Sequence, residues 1–293
     1  MKLSFVYPTI RQGSIDILGY CLKQQEDKTD WELIVVDGFE GRVERAEAEY
    51  FLVSHGIPLK AYVKPKEKTF PWSRTGFANA LNTGALWASG DYVIFIHDYT
   101  FFNPFMVQEW KKALSELDGR TLLHGGSREV TTPIIPDMLG DISTWKEFPE
   151  FRYRASWTPE VFELGYFAIP LNFFKEGNGI DERADFCFSF ATKAVVVQAR
   201  ELGYALKVDP TLVCDMIDHH MWETWDERKR FHFHSRWRIP GEFSDVPEEP
   251  NWTGWGCNPY LFEREWHKIQ EEKNKPVKPY PKYNHMPEVL KVS

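Results

Sequence analysis

Four short stretches of this chain gather side chains that could do chemistry. His97-Asp98-Tyr99-Thr100 sets an imidazole, a carboxylate and two hydroxyls directly behind an apolar run at 92–96. Such groups bind ligands or cations and move protons. Asp37, followed by Gly38, closes a second apolar run at 32–36. It is well placed to accept hydrogen bonds from a nucleoside, or equally to cap a helix over 42–55. Asp181, Glu182 and Asp185 precede or open a helical stretch at 185–202, where acids favour the positive end of the helix dipole. Asp218-His219-His220 forms the fourth cluster. A histidine pair is more often a packing element than a ligand, and His232 and His234 have no carboxylate or cysteine at ligand spacing.

The elements around these clusters must bring them together. Residues 3–7 read as a strand, 14–25 as a helix and 32–36 as a second strand, a βαβ unit whose right-handed crossover makes the strands parallel. Both following loops, 8–13 and 37–41, then fall on one edge of the sheet. A short strand at 60–63 leads to a loop rich in Lys, Pro and aromatic residues at 64–74. Ala80, Leu81, Gly84, Ala85 and Ala88 recur at helical spacing, Ser89-Gly90-Asp91 stops the helix, and 92–96 is apolar on both faces. Such a strand belongs in the middle of a helix-covered sheet, with ligands at its carboxyl edge.

Further along, 104–117 reads as a helix with Pro104 in its first turn and 121–124 as a short strand. Regular periodicity is lost from 125 to 165. It returns at 166–170 and 171–175, then in the helix at 185–202 ending at Gly203, and in a strand at 204–208 punctuated by Asp209-Pro210. Beyond residue 220 the composition shifts toward charge, Trp and Pro, and the tail from 273 has too much Pro and Lys to build a core.

With 293 residues the chain can bury a substantial core without disulfide or metal staples. Its four cysteines are scattered, which fits free thiols in a reducing compartment. No transmembrane segment and no secretory leader is expected, and a cytoplasmic location is read from these features. A net charge of −8 argues against a broad nucleic-acid surface. Aromatic residues make up 16%, and a cluster of them beside a pocket would suit a sugar or a base.

The order of motifs carries a resemblance. Phe5-Val6-Tyr7-Pro8-Thr9, Ile34-Val35-Val36-Asp37-Gly38, and Ala80-Leu81-Asn82-Thr83-Gly84 with Ala88-Ser89-Gly90-Asp91-Tyr92 resemble the nucleotide-sugar-binding half of family 2 glycosyltransferases with the GT-A fold. The segment 95–104 is similar to the one in which that family carries a metal-binding DxD motif. Gly177-Asn178-Gly179-Ile180-Asp181-Glu182, with Asp185-Phe186-Cys187 beyond it, resembles the acceptor-side signature. The resemblance covers about residues 2–220. It implies an α/β GT-A fold with a mixed, mostly parallel central sheet flanked by helices. The expected division is a transferase domain at 1–220, made of a donor half (1–104) and an acceptor half (105–220), with a Trp- and Pro-rich extension at 221–293 packing on it.

By the same resemblance, Pro8, Thr9, Arg11, Asp37, Arg74, Asn82, His97 and Asp98 would bind the nucleotide-sugar. Mn²⁺ or Mg²⁺ would be held by Asp98, His97, His219 and His220, and Asp185, then Glu182, would serve as general base if transfer inverts the anomeric carbon. The departures are specific. The expected acid-x-acid reads His97-Asp98-Tyr99, with one carboxylate at the middle position, and Leu81 stands where the family often has a basic residue, so Arg11 and Arg74 become the compensating cations. The implied function is sugar transfer from a nucleotide-diphosphate sugar to a hydroxyl acceptor. A non-catalytic module that binds glycan or nucleotide is the alternative, motivated by the altered motif. A nucleotidyltransferase fits less well, because loop 8–13 lacks a glycine-rich, lysine-containing cradle. Glycan, metabolite, protein and modified nucleic acid all stay open as acceptors.

Overall fold

The computed structural model describes residues 1–10, 14–38, 45–66, 76–98, 100–130, 153–156, 166–182, 185 and 190–217. Four strands are built first: β1 (Leu3–Thr9), β2 (Trp31–Asp37), β3 (Leu59–Val63) and β4 (Tyr92–Ile96). Helices α1 (Ser14–Lys23), α2 (Arg45–Ser54) and α3 (Phe77–Trp87) connect them, and the strands pair in parallel in the order β3-β2-β1-β4. The second half adds β5 (Thr100–Phe101), α4 (Met106–Ser115), β6 (Thr121–Val130), β7 (Tyr153–Ser156), β8 (Tyr166–Pro170), α5 (Leu171–Glu176), α6 (Phe190–Glu201) and β9 (Ala205–Ile217). The sheet continues from β4 through antiparallel β8 to β6, β9 and β5, with β7 on β6. Most paired residues lie in parallel ladders.

Period-two alternation sorts the central strands between two cores. Leu3, Phe5, Tyr7, Leu33, Val35, Ile94 and Ile96 face α1, α2 and α4, whereas Val6, Ile34, Val36, Val93 and Phe95 face α3, α5 and α6. Both sets are apolar, so the strands are buried on both sides as their composition requires. Gly84 lets α3 lie directly on β1, since a Cβ there would sit 2.2 Å from Val6 Cγ1. Because α3 runs back between parallel strands, its N-terminus reaches the carboxyl edge of the sheet, beside the ends of β1, β2 and β4.

The opposite edge is fastened by a buried carboxylate. Glu32 accepts from Ser4 Oγ at 2.7 Å and from the Ser89 main-chain N–H at 2.6 Å, and pairs with Lys2. Burial pushes this carboxyl up, but Lys2, Ser89 and Ser4 outweigh it and hold it below its ordinary value of 4.5. A depressed folded value means that the contribution is complete above the unfolded value and fades as pH falls through the folded one. Glu32→Gln should therefore cost about 1–3 kcal/mol at pH 7. In urea titrations from pH 7 downward, the gap to the parent should narrow below about pH 4.5. A pH-independent gap would place the effect in packing.

Several boundaries differ from those read in the sequence. β1 runs on through Pro8, which is compatible with a strand's carboxyl end. β6 continues past 124 to Val130, and β7 lies within the stretch read as irregular. β9 also passes through Pro210 as one strand, because the register jumps from Gly125↔Asp209 to Gly126↔Val213, a bulge that leaves the proline without a ladder partner. The described part of the final helix runs from Phe190 to Glu201. Gly203 follows it with φ of 73°, as a glycine cap does. The tail and the extension at 221–293 lie outside the described residues. No described helix is long and apolar enough to cross a membrane.

Candidate active site

The carboxyl ends of β1, β2 and β4 form one rim. Thr9 and Asp37 are register partners, and the Gly38 N–H donates to the Thr9 carbonyl at 2.8 Å. Thr9 Oγ1 lies 2.6 Å from Ser14 Oγ and donates to Asp98 Oδ2 at 3.3 Å. The end of β1, the head of α1 and the residue beyond His97 are therefore joined by hydroxyls. Asp37 is fully buried and accepts from the Tyr62 hydroxyl on β3. Asp37 thus closes β2 at the rim, and the described part of the next helix runs from Arg45.

His97 and Asp98 form the centre of that rim. The His97 Nδ1 lies 2.9 Å from the Asp98 carbonyl and 3.1 Å from its Oδ1. Both partners only accept, so Nδ1 carries a proton. The His97 ring sits 6.3 Å from that of Phe77, the first residue of α3. Met216 of β9 pairs with Thr100, so the strand that leads toward 219 and 220 ends beside the His97-Asp98 segment. Among the described residues no three of His, Cys, Asp or Glu form a metal cluster.

A second polar group lies across α3. Asn82, fully buried, donates to the Ile180 carbonyl at 2.8 Å and to Glu182 Oε1 at 2.9 Å, and accepts from the Ile180 N–H at 2.7 Å. Gly179, at φ of 88°, brings the turn close enough for this clasp, since a Cβ there would meet Asn82 Oδ1 at 2.9 Å. Gln198 of α6 holds the same turn through the carbonyls of Gly177 and Gly179. Glu182 is 2% exposed and pairs with Lys66 Nζ at 2.6 Å. Asp185 accepts from the main-chain N–H groups of Ala78 at 2.7 Å and Asn79 at 3.0 Å.

Of the residues nominated by resemblance, Thr9, Asp37, His97 and Asp98 meet at one rim, while Asn82, Glu182 and Asp185 gather around α3 and bond to its neighbours. Pro8 lies within β1 opposite Val36. Arg11, Arg74, His219 and His220 lie outside the described residues. Sequence reasoning passed over Lys66, Tyr62 and Asn79. The cationic loop at 64–74 and the polar end of an otherwise apolar strand were the only signals for the first two.

The sequence profile described as glycosyl transferase family 2 matches residues 14–161, just over half of the chain. No curated protein sequence matches. Among solved structures, TarS from S. aureus superposes with a TM-score of 0.51 at 18% identity, covering 74% of this chain and 37% of that one. The 1–349 portion of TarS in complex with UDP-GlcNAc gives the same score and identity, covering 74% and 59%. The mannosyltransferase PcManGT from Pyrobaculum calidifontis, in complex with GDP-Man and Mn²⁺, gives 0.50 at 14% identity, covering 93% and 69%. At these identities the likeness is one of fold, which is GT-A. The chain thus spans little more than a third of full-length TarS.

Proposed function

The chain belongs to glycosyl transferase family 2, and from that premise we propose that it moves a sugar from a nucleotide-diphosphate donor to a hydroxyl acceptor at the carboxyl rim of its sheet. The observation that carries this is the meeting of Thr9, Asp37, His97 and Asp98 on three neighbouring strand ends. The donor class is proposed from proteins of the same fold that hold UDP-GlcNAc or GDP-Man. Asp37 would receive the nucleoside, with Tyr62 fixing its carboxylate, and Arg11 and Arg74 would face the diphosphate.

The donor set at Asp98 and His97, one carboxylate and one imidazole, suits Mn²⁺ or Mg²⁺ whose remaining positions go to water and phosphate. His219 and His220 follow the strand that ends beside this pair and are proposed as further ligands. When bound, the ion would neutralise charge on the departing diphosphate. For an inverting course, the acceptor hydroxyl oxygen forms a bond to the anomeric carbon as the carbon–oxygen bond to the diphosphate breaks. The hydroxyl proton passes to an acceptor-side carboxylate, for which Glu182 is proposed.

A panel of UDP-, GDP-, TDP- and CDP-sugars with Mn²⁺ tests the reading. Donor hydrolysis or transfer from at least one is expected, with loss on adding EDTA and return on adding Mn²⁺. Binding of free glycan with neither turnover nor metal-linked nucleotide affinity would instead identify a recognition module.

A further inference from the structure

We infer that Asp185 is a positioning residue, the remote N-cap of α3, and that it is not the base that takes the acceptor proton. A helix leaves its first main-chain N–H groups without partners inside the helix, and a side chain next to it in sequence usually supplies the cap. At α3 that residue is Gly76, which has no side chain to offer. The second and third residues of the helix, Ala78 and Asn79, instead direct their N–H groups at Oδ1 and Oδ2 of Asp185, 107 and 106 positions away. All three residues are at most 1% exposed. The arrangement fills with a protein carboxylate the anion site that a helix N-terminus otherwise presents to phosphate.

The consequence is mechanical. Phe77, beside His97, and Asn79 belong to the turn that Asp185 fixes. With the Asn82 amide turned clasp on Ile180, the cap joins the acceptor-side segment to the helix that flanks the donor rim. A base must approach and leave a proton in each cycle. A carboxylate anchored by two main-chain groups of one helix could do so only by releasing that helix. Glu182 differs, because the Lys66 ammonium that pairs with it sits on a flexible side chain that can move aside.

The kinetic part of this inference rests on the transfer reading above, and the structural part does not. Asparagine keeps one of these two bonds through its amide oxygen, turns an amide donor toward the other N–H, and accepts no proton. Asp185→Asn should keep kcat within about tenfold of the parent with an unchanged acidic limb of the pH–rate profile, because a lost general base costs about 10²–10⁴-fold. Asp185→Ala should lower the Tm by about 5–10 °C and raise amide exchange at Ala78 and Asn79 at least tenfold. Asp185→Asn should restore part of the Tm and protection at one of the two N–H groups, the one its amide oxygen still accepts from. A folded Asp185→Asn protein more stable and better protected than Asp185→Ala, yet with a kcat loss above 10³-fold that exceeds the loss in Asp185→Ala or equals it, would make Asp185 the base and overturn the inference. If no donor is turned over by the parent, the exchange measurement still decides: unchanged protection at Ala78 and Asn79 in Asp185→Ala refutes the cap.

Discussion

Asn82→Asp is expected to be among the most damaging single substitutions in the described part of this protein, at least as severe as Asn82→Ala. The two side chains have nearly the same shape, so cavity formation plays no part. What changes is that an amide donating to the Ile180 carbonyl and to Glu182 becomes a second carboxylate facing two acceptors. Stranded buried groups cost about 1–3 kcal/mol each, and a like charge beside Glu182 adds to that. A loss of about 3–5 kcal/mol is expected, enough to consume much of a domain's stability. Urea unfolding followed by tryptophan fluorescence measures it. Stability within 1 kcal/mol of the parent would show that the turn at 177–182 is held without Asn82.

Asp98→Ala is expected to have the second largest effect, and on activity rather than on folding. Asp98 is 6% exposed at the rim and is bonded to Thr9 and His97, but it fastens no long element. Its removal should cost about 10²–10³-fold in kcat/KM, comparable to deleting one charge-stabilising group from an active site. Metal-linked nucleotide affinity should fall with it, while the Tm stays within a few degrees of the parent. Thr9→Val, which removes the hydroxyl bonded to both Asp98 and Ser14, should cost about 10-fold, as expected for a group that orients a ligand. Full activity in Asp98→Ala would separate this segment from the chemistry.

The parts of this architecture that could be read from sequence are those in which local pattern and tertiary context agree. β1, β2 and β4 are continuous apolar runs, and α3 shows its small-residue face because Gly84 must pass over Val6. Asp37, Asp98 and Thr9 could be placed because a strand end is fixed by where its apolar run stops. The rest depended on partners remote in the chain. β6 and β9 read as broken at Gly125 and Pro210, yet both run on, because the extra residues of β9 at 210–212 bulge opposite the Gly125-Gly126 step. Asp185 looked like the start of its own helix, and only the tertiary fold shows it at the head of a helix a hundred residues earlier. Lys66 was one cation among several in its loop until Glu182 distinguished it. Polar networks of this kind leave no period in a sequence, since their members need share neither element nor spacing.

The account stands or falls on whether a nucleoside diphosphate and its cation settle at the ends of β1, β2 and β4. The most direct measurement is a crystal structure of the protein soaked with UDP or GDP and Mn²⁺, with anomalous scattering used to locate the metal. The predicted result is a manganese peak in coordination with Asp98, the diphosphate against it and the base beside Asp37. A nucleotide bound elsewhere, or a manganese position without Asp98 among its ligands, would contradict it.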